Sequence, residues 1–181
     1  MIIILLGEGC NISWGMQKIN LRGPTCIFEW FLSVSFKDIN IIVEKILNNK
    51  PIEITKRHGS PDIERDIYLD TTEIRSAHYD LNNFPERLQR RIERFKEQIL
   101  LNEPILFIRE EHNGYITTED DIKRFKQLIE MFNPKCNYKI LLIMPLEIRR
   151  DALQIENVYH KENLRDQFNL LNCINEIQNS F

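Results

Sequence analysis

Three nearly continuous apolar runs, Ile2–Leu6, Ile105–Ile108 and Tyr138–Met144, dominate what this chain can become. Each has strand length, and a strand apolar at successive positions must be buried on both faces. That pattern belongs to parallel sheets, whose crossover connections lay helices over the sheet. The intervening segments supply those helices. Ser35 to Leu47, Glu86 to Leu101 and Thr117 to Phe132 carry apolar residues at helical spacing. The expected fold is therefore α/β, a mostly parallel central sheet with helices on both faces. At 181 residues it fits one domain spanning 1–181.

Smaller signals fill in the rest. Ser35 to Asp38 offers an N-cap for the first long helix, and Thr117-Thr118-Glu119-Asp120 offers another with an acidic first turn. Pro85 suits the first turn of the Glu86 helix. That helix should bury Leu88, Ile92, Phe95, Ile99 and Leu100, and turn Arg87, Arg90, Arg91, Glu93, Arg94 and Lys96 to water. Ile52 to Thr55 reads as a short strand, and Ile67–Asp70 with Glu73–His78 as two strands around Thr71-Thr72. Lys56 to Asp66 reads as a loop. A last strand is expected at Leu153 to Tyr159, followed by a helix near Leu164 to Ile177.

Composition excludes several classes. A net charge of −3 and a pI near 5.9 give no global attraction to nucleic acid or to an anionic membrane. The N-terminal apolar run lacks a basic flank, is too short for a secretory leader, and cannot span a bilayer. The four cysteines, Cys10, Cys26, Cys136 and Cys173, include no CxxC pair. This argues against structural zinc and a disulfide scaffold, and for a reducing, cytoplasmic setting. No cofactor or metal is expected.

The chemistry concentrates where the first strand ends. Gly7-Glu8-Gly9-Cys10 permits a tight turn, and Asn11 to Met16 reads as a helix after it. A thiol in the first turn of a helix meets its positive end, which favours thiolate; a free cysteine is equally at home as a small buried hydrophobe. In parallel sheets the reactive site lies past the carboxyl ends of the strands. Cys10 sits at one such end, and Arg109-Glu110-Glu111 at another. The dense aromatic segment Cys26–Leu32 should pack near the Cys10 turn. Of the four histidines, His58, His112 and His160 have surface-like contexts, whereas His78 closes a strand and precedes Tyr79-Asp80.

Neighbouring chemistries fail on spacing. A cysteine phosphatase loop needs an arginine six residues after the cysteine, and Met16 stands there. Gly7-Glu8-Gly9-Cys10 has no Lys-Ser/Thr for a nucleotide loop and does not continue as GxGxxG. The Arg-rich stretch 90–95 interleaves Glu93 at helical spacing, as a solvated face does.

Taken together, these segments resemble a family of papain-like cysteine peptidases with bacterial and large DNA virus members. Gly7-Glu8-Gly9-Cys10 matches the family's Gly-x-x-Cys turn, and Ile27-Phe28-Glu29-Trp30 its Pro-Phe-Asp-Trp-like block. His78 falls at its His-Asp-Phe-like element. Arg90-Arg91-Ile92-Glu93-Arg94-Phe95 and Leu106-Phe107-Ile108-Arg109-Glu110 match the helix and strand that follow, so the likeness runs over about residues 2 to 145. The resemblance implies a Cys10 thiolate and a general base at His78, with Asp80 or Glu29 orienting the imidazole. Tyr79 holds the place next to the base where the family has its acid, Glu29 stands for an Asp, and no Gln precedes Cys10. The implied activity is thiol-dependent hydrolysis or acyl transfer on a peptide, isopeptide or thioester, including one on a host or cellular protein. The alternatives are a non-catalytic protein-binding or host-interaction factor that keeps the fold, and a sugar- or phosphate-handling enzyme using Arg109 and the arginine-rich helix. Oligomeric state is left open.

Overall fold

The computed structural model describes residues 1–7, 11–56, 66–76, 79, 82–111, 115, 117–144, 153, 155–162, 164 and 167–181. Its centre is a four-stranded parallel sheet in the order β1-β5-β6-β7, formed by β1 (Ile2–Leu5), β5 (Ile105–Glu110), β6 (Tyr138–Met144) and β7 (Val158–Glu162). Between β1 and β5 the chain makes α1 (Asn11–Lys18), α2 (Phe36–Leu47) and α3 (Phe84–Leu100). It also makes a small antiparallel sheet, β2 (Ile54–Lys56), β3 (Ile67–Leu69) and β4 (Arg75–Ser76). α4 (Glu119–Phe132) joins β5 to β6, and α5 (Gln167–Gln178) follows β7.

The period of two along the central strands divides the interior into two cores. Ile4, Phe107, Ile140 and Leu142 point to one side, where Ile42 and Val43 of α2, Phe95 of α3 and Phe125 of α4 meet them. Leu5, Leu106, Ile108, Leu141 and Ile143 point to the other, against Met16 of α1 and Leu170 and Ile174 of α5. Helices cover both faces, as continuous apolar strands require.

Local chemistry sets the helix ends where side chains can supply it. Ser35 caps α2 by accepting the Asp38 amide, and Asn48 closes its far end. Thr118 and Asp121 form a reciprocal capping box at α4: the Thr118 hydroxyl accepts the Asp121 amide, and the Asp121 carboxylate accepts the Thr118 amide. Lys45 of α2 pairs with Asp70 in the turn between β3 and β4, tying the small sheet to the helical layer. Burial pushes the Asp70 carboxyl up, but Lys45 and the Thr71 and Glu53 backbone outweigh it and hold it below the usual carboxylate range.

Two expectations change. The last strand lies at Val158–Glu162 rather than Leu153–Tyr159. Leu153 and Ile155 do pack on the core, but a turn bends the chain there: Val158 donates to the Ile155 carbonyl (3.2 Å), and Asn157 takes a left-handed φ of 64°. The strand that follows is a half-buried edge without an apolar run, so hydropathy pointed to its neighbour. On α3 the buried face is Phe84, Leu88, Arg91, Phe95 and Ile99, whereas Leu100 is exposed. Arg91 thus belongs to the core side and not to the solvated one.

The capping box yields a direct test. Thr118→Ala leaves the Asp121 amide without its side-chain acceptor and should lower stability by about 1 kcal/mol, read as a shift of the urea midpoint with unchanged slope.

Candidate functional site at the carboxyl edge of the sheet

The carboxyl edge is organised by a buried arginine. Ile105, Phe107 and Arg109 share one face of β5, so Arg109 projects into the core and is fully buried. Its Nε donates to Glu111 Oε1 (3.3 Å), Nη1 to the Leu6 carbonyl (3.3 Å) and Ser33 Oγ (3.0 Å), and Nη2 to the carbonyls of Ser33 (2.8 Å) and Val34 (3.2 Å). All five guanidinium N–H groups are used. Glu111 balances the charge and is itself held by the Thr117 amide (2.9 Å) and hydroxyl (2.6 Å). The guanidinium lies over Phe36, 5.5 Å from the ring centre. This arrangement leaves Arg109 no role as a surface phosphate ligand, and the sugar- or phosphate-handling alternative loses its main residue.

What Arg109 clamps is the exit of β1 against the segment Cys26–Val34. Leu6 extends the β1 ladder by donating to the Ile108 carbonyl (2.8 Å). Gly7 then turns with φ +85°, and a Cβ there would stand 2.4 Å from Ser33 Oγ. No other residue fits both conditions. The Phe28 Cβ stands 3.5 Å from the same position, so the aromatic segment does pack beside the glycine turn.

The same segment grips the strand that leads to His78. Leu32 and Arg75 exchange backbone hydrogen bonds (2.8 and 3.0 Å), and Ser76 Oγ donates to the Trp30 carbonyl (2.6 Å). Trp30 itself takes a left-handed φ of 67°. Tyr79 donates from its hydroxyl to the Glu29 carbonyl (3.2 Å) and stacks on Phe31 (5.4 Å between ring centres). Residues 28–33 are therefore a strap with one side on the Gly7 turn and the other on β4 and Tyr79. Cys10, His78 and Asp80 themselves, like Glu8, Gly9, His58 and His112, lie outside the described residues.

The strap has its own support. Glu29 is buried, and its carboxylate accepts from the Cys26 amide (2.6 Å) and from Arg22 Nε (3.0 Å). Arg22 also reaches Thr25 Oγ1 and lies over the Trp30 ring. Glu29 thus folds the strap.

Cysteine reactivity can be sorted by environment. Cys26 is buried beside Glu29, and burial, followed by that carboxylate's charge, pushes its thiol up to about 12. Burial raises Cys136 to about 11 and also raises Cys173. None of these three is a thiolate near neutral pH.

Beside α1 the carboxyl edge opens into a cavity of about 210 Å³. Ile12, Ile143, Leu164 and Leu170 form apolar walls, Glu110 and Asn11 polar ones, and Trp14, 59% exposed, stands at the rim. Asn11, the residue after Cys10 in the chain, lines it. Among the described residues no three His, Cys, Asp or Glu side chains gather as a metal site, and no helix is long and apolar enough to cross a membrane.

The family model described as "Putative papain-like cysteine peptidase (DUF1796)" matches residues 1–147. The chain belongs to this family. The match covers β1 through β6 and leaves out β7 and α5. No curated protein and no solved structure matches the chain. Of the segments that carry the resemblance, Phe28-Glu29-Trp30 lies within the strap, and the strap packs on the Gly7 turn.

Sequence reasoning placed Arg109 at a strand end without seeing its burial, and gave Ser33 and Arg91 no part in the site. The alternation Ile105, Phe107, Arg109 was the available signal for the first. Nothing local marks Ser33.

Two outcomes follow from these environments. Arg109→Met strands Glu111 and four backbone or hydroxyl acceptors in the core and should cost about 3–5 kcal/mol; adding Glu111→Gln should return part of it in urea unfolding. Alkylation of the native protein with iodoacetamide near pH 7.5, mapped by peptide mass, should spare Cys26 and Cys136 until the fold is lost.

Proposed function

We propose that this family member is a cysteine-dependent hydrolase or acyl-transfer enzyme, with Cys10 as nucleophile, His78 as general base and Asp80 as the group that orients the imidazole. The observation that carries the reading is the strap: one short segment, residues 28–33, packs against both the turn leading to Cys10 and the strand leading to His78. Such a pair needs hydrogen-bond reach, and two chain segments fixed to one rigid element can maintain it.

In the proposed cycle, His78 takes the thiol proton and Cys10 sulfur attacks the substrate carbonyl carbon. The tetrahedral oxyanion is met by backbone N–H groups at the start of α1, a role that needs no side-chain amide. His78 returns the proton to the departing amine or thiol as the C–N or C–S bond breaks. Water, deprotonated by the same imidazole, then hydrolyses the acyl-enzyme and frees the thiol. Glu29 has both carboxylate oxygens engaged within the strap, which favours Asp80 over it as the third group.

The cavity beside Asn11 gives a sense of scale. An apolar cavity of about 150 Å³ accepts benzene, so the space of about 210 Å³ suits one substrate side chain. Peptide, isopeptide and thioester substrates all meet that description. A second reading, a protein-binding factor that keeps the fold, is favoured by one feature, the exposed Trp14 at the cavity rim. Large exposed aromatics are common anchors in protein interfaces.

The pH dependence of Cys10 alkylation tests the enzyme reading. The wild type should alkylate with an apparent pKa well below the free-thiol value of about 8.5, and His78→Ala should return it to that value. Asp80→Asn should lower reactivity at pH 6 with little change in stability, whereas Glu29→Gln should mainly destabilise. An ordinary thiol in the wild type, indifferent to His78, would sink the proposal and leave the binding factor.

A further inference from the structure

Tyr79, the residue between His78 and Asp80 in the chain, is held far more tightly than a loop residue needs to be. Its ring stacks on Phe84 (4.6 Å between centres, 25° between planes) and on Phe31 (5.4 Å, 30°). Its hydroxyl donates to the Glu29 carbonyl and accepts from Arg91 Nη2 (2.8 Å). The Arg91 guanidinium also stands 4.9 Å from the ring centre.

Arg91 comes from the core face of α3, where it is only 9% exposed, and its Nη1 is buried with no hydrogen-bond partner among the described residues. A buried cation with an unmet donor is a poor choice for stability. An apolar residue on that helix face would pack without the desolvation cost, and such replacements are often neutral or stabilising. What Arg91 adds that an apolar residue cannot is a donor to the Tyr79 hydroxyl, beside the Glu29 carbonyl that accepts from it; Phe31 and Phe84 can hold the ring alone.

We infer that Tyr79 and Arg91 are positioning residues for His78 and Asp80, a tether on the residue that stands between the two in the chain. Covalent geometry makes such a tether short-range, since consecutive Cα atoms stand about 3.8 Å apart across a trans peptide. The inference rests on the reading of Cys10 and His78 as a catalytic pair. Misplacement of a catalytic group by about 1 Å can cost on the order of a hundredfold in rate, so a tether at this point has a measurable effect. Burial raises the Tyr79 phenol above its ordinary value, with Arg91 opposing, so the hydroxyl stays protonated and can serve both bonds across the working range.

The experiment compares pH profiles of Cys10 alkylation in wild type, Tyr79→Phe and Arg91→Met, each with its thermal unfolding curve. Tyr79→Phe keeps the ring stack and the protein's charge, so it separates geometry from the electrostatic effect of deleting Arg91. The expected result is a roughly tenfold loss of alkylation rate at pH 6 in both variants, an amount within the effect of a small misplacement. Arg91→Met should meanwhile unfold at or above the wild-type temperature. A depressed wild-type profile that both variants reproduce overturns the inference and leaves the catalytic pair standing. A rate loss that appears only together with loss of the cooperative unfolding transition assigns both residues to packing, and also overturns it. An ordinary wild-type thiol removes the pair itself, and the tether with it.

Discussion

Arg109 is the constraint on which the carboxyl edge depends. Its guanidinium has five N–H groups, and the surrounding chain presents five acceptors, from Leu6 just past β1, from Ser33 and Val34 at the end of the strap and from Glu111. A buried ion pair of this kind adds little net stability, because desolvation consumes most of the attraction. Its value is selectivity. An apolar side chain would tolerate many placements of the strap against β1, whereas a planar fork with fixed donor directions tolerates one. Ser33 accepts from that fork and stands against Gly7, so the direction set by Arg109 passes straight into the glycine turn.

From there the geometry propagates by short steps. The strap carries Phe28 to the turn, Trp30 and Leu32 to β4, and Glu29 and Phe31 to Tyr79. Its left-handed residue at Trp30 is a conformation that a bulky side chain adopts only when its surroundings enforce it. Here Arg22 covers the indole, and Glu29 ties the loop back to Cys26. The small antiparallel sheet, which has no place in a simple strand-helix alternation, delivers the chain toward His78 from outside the central sheet.

Much of this was legible in the sequence, and the exceptions share a cause. Continuous apolar runs gave β1, β5 and β6 almost to the residue, since a strand buried on both faces cannot be anything but apolar. Ser35 and Thr118 marked helix starts because their hydroxyls meet a local need. Val158–Glu162 was missed because an edge strand is not obliged to be apolar, and Leu153 and Ile155 drew attention to the turn before it. Arg91 and Arg109 were misjudged because a charge reads as solvent-facing; only strand and helix phase, with the partners folding brings from afar, shows them buried. The candidate residues Cys10, His78 and Asp80 were reached through family resemblance and strand-end placement. Their flanks are what the fold adds. The joining role of Ser33 arises from contacts with Leu6 and Arg109, the latter 76 residues distant in sequence, and no local pattern encodes such a meeting.

The two cores differ in their debt to the family. The fully buried residues of the side covered by α2, α3 and α4 all lie within residues 1–147, with Leu153, Ile155 and Val158 added at its margin, but the opposite side relies on α5, from beyond that boundary. Without it, Leu106, Ile108, Leu141 and Ile143 would have only the short α1 for shelter. In this chain the matched portion therefore supplies nearly all of one surface of the sheet, and the other is completed by α5. Innovation is cheapest on such a surface: a new helix, a further domain or another molecule can complete it without disturbing the arginine clamp on the far side.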